Sequence, residues 1–193
     1  MSNDKNDTRT RILEAAAEII GKERNLNMTI REVATQADVN IASINYHFRS
    51  KENLLSEVEM LLMEKIGHIY TNLSDPGANT ATRLINWANN LIKHLIAYPG
   101  IIYLIGTRIL GKEQTGINKY LNLMETNLAP LVKELAGIDD DNLAAFRVLQ
   151  LISGVFYPIL IISSSDEAAG INLGDEKTRL EYVSLLVASI KAT

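Results

Sequence analysis

IREVATQADVNIASINYHFRSKENLL, running from Ile30 to Leu55, decides the fold. It reads as a short helix, a tight turn, a second short helix and the basic start of a third. Thr29 and Glu32 have the T-x-x-E spacing of a capping box, so a helix is expected from Ile30. Val33, Ala34 and Ala37 form its apolar side. Asp38-Val39 makes the turn, and Asn40 is a good cap for a helix over Ile41 to Phe48. Arg49-Ser50 breaks that helix, and Ser50 caps the next, which runs to about Tyr70. Small Ala34 suits the point where two helices approach. Val33, Ala37, Val39, Ile44 and Phe48 are the expected shared core. The remaining face of the second helix is Ile41, Ala42, Ser43, Asn45, Tyr46 and His47.

That face bears no Lys, Arg, Asp or Glu, whereas a purely solvated helix would carry them. Short side chains near its start would let the backbone sink into a DNA major groove. Ile41 and Ala42 could touch thymine methyls, Asn45 could pair with adenine, and Ser43 could bond several base edges. Thr29, Tyr46, His47, Arg49 and Lys51 could hold phosphates, with Lys51 beside a helix N-terminus that favours anions. The competing reading is a generic three-helix core with Tyr46 and His47 turned inward.

Outward from this block the pattern stays helical. Ile12, Leu13, Ala16, Ile19 and Ile20 recur on one face of a first helix from Thr8, capped by Asp7 or Thr8 and ended near Gly21. SDPGANT, Ser74 to Thr80, is a boundary of turn-formers. Further helices are expected over Thr82–Tyr98, from Pro99 to about Leu110, over Ile117–Ala136 before Gly137, over Asn142–Ile162 and over Glu176–Lys191. Gly111–Gly116 and the stretch beginning at Ser163 read as loops. The expectation is an all-α protein of about nine helices, divided into a helix-turn-helix domain over 5–65 and a second helical domain over 75–193.

The chain has 193 residues, 47% of them hydrophobic, enough for a substantial core. It has no cysteine, so no disulfide framework or thiolate chemistry. The net charge is −4, but residues 1–51 hold eight basic and seven acidic side chains, leaving −5 for the remainder. This distribution permits DNA binding without advertising it. The N-terminus is polar, unlike a signal peptide. The most apolar run, Leu151–Ile162, is interrupted by Ser153, Gly154 and Pro158 and falls short of the roughly 20 residues of a membrane span. A cytoplasmic protein without membrane contact is expected. His47, His68 and His94 lack metal-ligand spacing. No catalytic triad order or phosphate loop occurs. No metal, cofactor or enzyme activity is expected.

TIREVATQADVNIASINYHFRSKENLL, together with RILEAAAEII in the first helix, resembles the N-terminal domain of the tetracycline-repressor (TetR) family of bacterial regulators. The resemblance covers about Lys5 to Lys65; beyond it the chain is similar only in helix content and length. It implies an all-helical homodimer that binds a palindromic operator, usually represses, and leaves DNA when a small molecule fills a C-terminal pocket. It also implies DNA contacts at Thr29, Ser43, Tyr46, His47 and Lys51. Three positions depart from the family's habit: Asp38 where Gly is frequent, Ile41 where a polar or basic residue is frequent, and Asn45 where an aromatic is frequent. Asp tolerates the left-handed turn. The operator sequence does not carry over.

Two later helices have broad apolar faces: Phe146, Leu149, Ile152, Val155, Phe156 and Ile159 on one, Leu180, Val183, Leu186, Val187 and Ile190 on the other. The resemblance makes them a dimer interface near 142–162 and 176–191, and an internal core is the alternative. Trp87, Leu91, Tyr103, Met124 and Phe156 are candidate walls of an effector pocket, with Asn90, Arg108 and Asn127 as polar groups within it. Each could equally be ordinary core. A module that keeps the fold but binds a ligand or protein without reading an operator is the alternative function.

Overall fold

The computed structural model describes residues 2–22, 27–110, 126–164 and 170–191. Among these residues the architecture is all-α: α1 (Ser2–Lys22), α2 (Ile30–Gln36), α3 (Ile41–Phe48), α4 (Lys51–Thr71), α5 (Thr80–Ala97), α6 (Gly100–Leu110), α7 (126–136), α8 (Asp141–Ser164) and α9 (Glu176–Ala188), with a 3-10 turn over Asn72–Ser74. The backbone falls into two compact units, Met1–Lys65 with Ala97–Leu104, and Ile66–Ile96 with Ile105–Thr193.

In the first unit, α1, α2 and α3 pack on one another around Ile12, Ala16, Ile20, Val33, Ala34, Ala37, Ile44 and Phe48, all buried. Leu54 and Val58 of α4 are buried as well. α1 starts at Ser2, ahead of the expected Thr8, since no Gly or Pro precedes Thr8 to stop a helix. Its last described residue is Lys22, next to the expected end near Gly21. A side chain at Gly21 would meet the Tyr98 ring, its Cβ 2.7 Å from Cδ1, so the glycine makes room for an aromatic residue. Arg9 pairs with Glu57 and lies over the Phe48 ring, 5.3 Å from its centroid. That contact ties α1 to α4 and to the end of α3.

In the second unit, α5 buries Leu84, Trp87, Ala88, Leu91, Ile92 and Leu95, one stripe at helical spacing. It begins at Thr80, two residues ahead of expectation, because the Asn79 side chain accepts from Thr82 N–H at 2.9 Å. Tyr70 packs edge-on against Trp87 with centroids 5.5 Å apart. Gly137 closes α7 at φ +64°, and Ile138 N–H bonds back to the Lys133 carbonyl at 3.1 Å. This is the glycine-capped helix end that the sequence suggests. Buried Arg179 of α9 donates to Asn89 Oδ1 of α5 at 2.8 Å and to the carbonyls of Leu173 and Gly174 at 2.9 and 3.1 Å.

α8 packs on α9 and spans more than the expected Asn142–Ile162. Over Asp141–Ile162 it has mean hydropathy 1.8, long and apolar enough by length and composition to cross a membrane. The most apolar run begins at Leu151, but Asp140 Oδ1 caps the helix through Leu143 N–H at 2.8 Å, so the helix also takes in the apolar Leu143, Phe146, Val148 and Leu149 ahead of that run. Only 28% of that window is buried within the chain. α9 stops at Ala188, short of Lys191. The expected loop Gly111–Gly116 and the start of the helix over 117–125 lie outside the described residues.

Candidate nucleic-acid interface

Local capping sets the angle of the reading helix. Thr29 Oγ1 accepts from Glu32 N–H at 3.2 Å, and Glu32 Oε2 accepts from Thr29 N–H at 2.7 Å, so the capping box is complete. The Thr29 backbone bond, followed by its side-chain bond and then Lys51, holds the Glu32 carboxyl below its ordinary range. Ala37 ends α2, and Asp38 turns the chain at φ +51°, the left-handed conformation expected of it. Val39 N–H then bonds the Ala34 carbonyl at 3.0 Å. Asn40 Oδ1 caps α3 through Ser43 N–H at 2.8 Å. Ser50 Oγ caps α4 through Asn53 N–H at 3.2 Å.

The outward face of α3 has the expected members. Ile41 is 43% and Tyr46 67% exposed. Ala42 and Asn45 are exposed, while Ser43 and His47 are half-buried. The Tyr46 and His47 rings meet edge to face, 5.2 Å apart. Ile44 and Phe48 point the other way, into the core. Thr29 is exposed and Lys51, first residue of α4, half-buried. An open hollow of about 680 Å³ lies between α2 and the start of α3, lined by Arg31, Thr35, Asp38 and Ile41 among others.

Sequence reasoning missed two features. Arg11 Nη2 donates to the Ala37 carbonyl at 2.6 Å and to the Asp38 carbonyl at 2.9 Å, fastening the turn to α1. Arg49 takes φ +66° between α3 and α4, a conformation a glycine would accept more easily. Local pattern holds no signal for either.

The effector-pocket candidates have different settings. Trp87 and Leu91 are fully buried, and Trp87 Nε1 is buried with no acceptor among the described residues. Asn90 is half-exposed and lines an open hollow of about 540 Å³ with Thr71, Ser74, Asp75 and Asn86, a polar setting rather than the apolar one expected. Asn127 and Phe156 are half-buried. Tyr103 is 42% exposed and belongs to the first compact unit. Met124 and the side chain of Arg108 lie outside the described residues.

A capped helix-turn-helix that presents an uncharged face on an all-α scaffold defines a class of protein, the DNA-binding transcriptional regulators. Comparison with known proteins narrows the class. Residues 12–58 match the family described as bacterial regulatory proteins, tetR family. Over 142 residues, 69% of this chain and 70% of the relative, it is 28% identical to the nucleoid occlusion factor SlmA of a Marinomonas species. Over 45 residues, 23% of this chain and 22% of the relative, it is 42% identical to an uncharacterized HTH-type transcriptional regulator in the dhlA 5' region of Xanthobacter autotrophicus. The fold matches the crystal structure of a TetR transcriptional regulator from Legionella pneumophila with TM-score 0.72 and 20% identity, covering 94% of this chain and 96% of that one. Residues 12–58 thus match the tetR-family domain, the fold of the chain is that of TetR transcriptional regulators, and the protein is a DNA-binding transcriptional regulator.

Proposed function

We propose that this protein is a homodimeric repressor that binds a palindromic operator through α3 and lets go when a small apolar molecule binds its second domain. Residues 5–65 are the DNA-binding domain and 75–193 the ligand-binding and dimerisation domain. One observation carries the DNA reading: the exposed face of α3 is uncharged, small at its start and aromatic at its end, behind a turn held by two caps. Ile41, Ala42, Ser43 and Asn45 face bases. Thr29, Tyr46, His47 and Lys51 face phosphates, joined by exposed Arg49. The Thr29 hydroxyl accepts within the capping box, so its proton is available for a phosphate oxygen.

The second copy comes from α8. Leu143, Phe146, Leu149, Tyr157 and Leu160 are each at least 40% exposed along it, and Leu185 of α9 is 67% exposed. A stripe that apolar calls for cover, and a second copy of the same two helices supplies it with the twofold symmetry a palindrome needs. The two reading helices would then enter major grooves about 34 Å apart. The effector is an apolar molecule of the kind that Trp87, Leu91 and Phe156 would suit, with Asn90 and Asn127 to orient it. The protein acts in the cytoplasm, where the operator is.

The test is selection from random DNA, followed by binding to the promoter beside its own gene. An enriched palindrome supports the repressor. No enriched site favours a helical module that binds ligand or protein, a reading for which Arg9 and Arg11 speak because both are spent inside the fold. Tyr46→Ala and Lys51→Ala should each weaken operator binding, and Lys51→Ala should lower the salt slope by about 1. A thermal-shift screen of apolar metabolites and drugs identifies the effector, since a ligand of the folded state raises Tm.

A further inference from the structure

We propose that Ser43 selects an amino-bearing base, adenine or cytosine, on the strand it faces, and that Asn40 imposes this choice without touching the base. The proposal rests on the reading of α3 as the DNA-reading helix. Its starting point is one oxygen shared by two donors. Asn40 Oδ1 is 2.8 Å from the backbone nitrogen of Ser43 and 3.0 Å from the Ser43 hydroxyl oxygen.

The backbone N–H can only donate, so it fixes which end of the Asn40 amide faces Ser43: the carbonyl oxygen. The Ser43 hydroxyl, bonded to that same oxygen, must then be the donor. A serine hydroxyl has one proton and two lone pairs. The proton is committed inside the cap, and lone pairs alone remain for a base edge.

Major-groove edges come in two kinds. Adenine N6 and cytosine N4 donate; guanine O6 and thymine O4 accept. A free serine rotates its proton to suit either kind. Held by Asn40, the Ser43 hydroxyl pairs with an amino group and meets a keto oxygen lone pair to lone pair. The helix cap thus converts an indifferent contact into a reader that distinguishes amino from keto bases at one position. Asn40 is a positioning residue, and the specificity belongs to the Asn40–Ser43 pair.

Selection from random DNA with the full-length wild type and with Ser43→Ala locates the operator position that Ser43 reads. Adenine or cytosine is expected there on one strand, and replacing it with purine or pyrimidin-2-one, which lack the amino group, should weaken wild-type binding about three- to tenfold. Ser43→Ala should be blind to that replacement. Asn40→Gly, a tolerated cap, frees the hydroxyl proton and should admit guanine or thymine; Asn40→Asp keeps the acceptor and should keep the preference. An operator that responds to Ser43→Ala with a keto base, or a preference unchanged by Asn40→Gly, overturns the proposal while leaving operator binding intact. An operator with no position sensitive to Ser43→Ala also overturns it. Absence of any enriched site removes both this proposal and the repressor reading.

Discussion

The Tyr182 hydroxyl donates to the Gly154 carbonyl oxygen at 2.6 Å, joining α9 to α8. Pro158 lies inside α8, four residues after Gly154. Proline has no N–H, so the helical bond to the Gly154 carbonyl is missing, and Tyr182 fills it from the neighbouring helix. The glycine also permits the approach, because a Cβ there would run into the Leu186 side chain. Tyr182→Phe should cost about 1 kcal/mol by leaving a part-buried acceptor without a partner. Pro158→Ala restores the N–H, so in that background Tyr182→Phe should cost little. Chemical denaturation of the four proteins measures the coupling; additive losses would show that Tyr182 is not compensating for Pro158.

Arg11 should support DNA reading without touching DNA. Arg11→Ala removes its bonds to the Ala37 and Asp38 carbonyls and loosens the turn before α3. Stability should fall by about 1 kcal/mol, since the side chain is exposed and its bonds are partly screened. Operator affinity should fall further while nonspecific affinity and the salt slope stay constant. A salt slope smaller by one would instead make Arg11 a phosphate contact.

Two residues sit at positive φ, Asp38 at +51° and Arg49 at +66°. Glycine at either site should raise stability by about 1 kcal/mol, because it adopts that conformation without the Cβ clash. The functional effects should part. Asp38→Gly should keep operator affinity, whereas Arg49→Gly should weaken it and reduce the salt slope. Thermal melts and salt-dependent titrations on the same preparations separate the two.

Acid should loosen the helix caps. Glu32 is held low by Thr29, through its backbone bond first, and Asp175 by Thr178 in the same way at the start of α9. Their folded values lie below the unfolded 4.5 and 3.8, so each stabilises the fold at higher pH and loses that effect as pH falls through its folded value. Tm should therefore drop on acidification below about pH 5. Glu32→Gln with Asp175→Asn keeps the caps without titrating, and its melting curve should depend less on pH. An unchanged dependence would assign acid sensitivity to other carboxylates.

Phe146 and Tyr157, each 63% exposed on α8, should govern assembly. Wild type should sediment at twice the 21.4 kDa chain mass, and Phe146→Glu with Tyr157→Glu as a single chain. Circular dichroism should be unchanged, since neither side chain belongs to the buried core. A double variant that remains dimeric would move the interface elsewhere.

Much of the helix-turn-helix is legible in the order of residues alone. Thr29 with Glu32, Asn40 before α3, Asp38 in the turn and Gly137 after α7 act within a few residues of themselves. Their hydrogen bonds are fixed by spacing along the chain, so spacing in the sequence reveals them. The apolar period of α5 and of α1 is equally local. The outward face of α3 follows once Ile44 and Phe48 are placed inward.

Other features depend on residues that the chain separates. Arg11 reaches a turn 26 residues away, Tyr182 a carbonyl 28 residues away, and Arg179 a side chain 90 residues away. Gly21 reads as a helix stop, and only the fold shows Tyr98 packed against it. Arg49 reads as a phosphate contact, and only the fold shows that its backbone is also left-handed. The sequence alone determined the helices, their caps and the side of α3 that faces outward, because those follow from periodicity and short-range hydrogen bonding. Tertiary structure decided which basic residues are spent inside the fold and how the Ser43 hydroxyl is held, because a side chain's proton goes to whichever acceptor packing brings within reach.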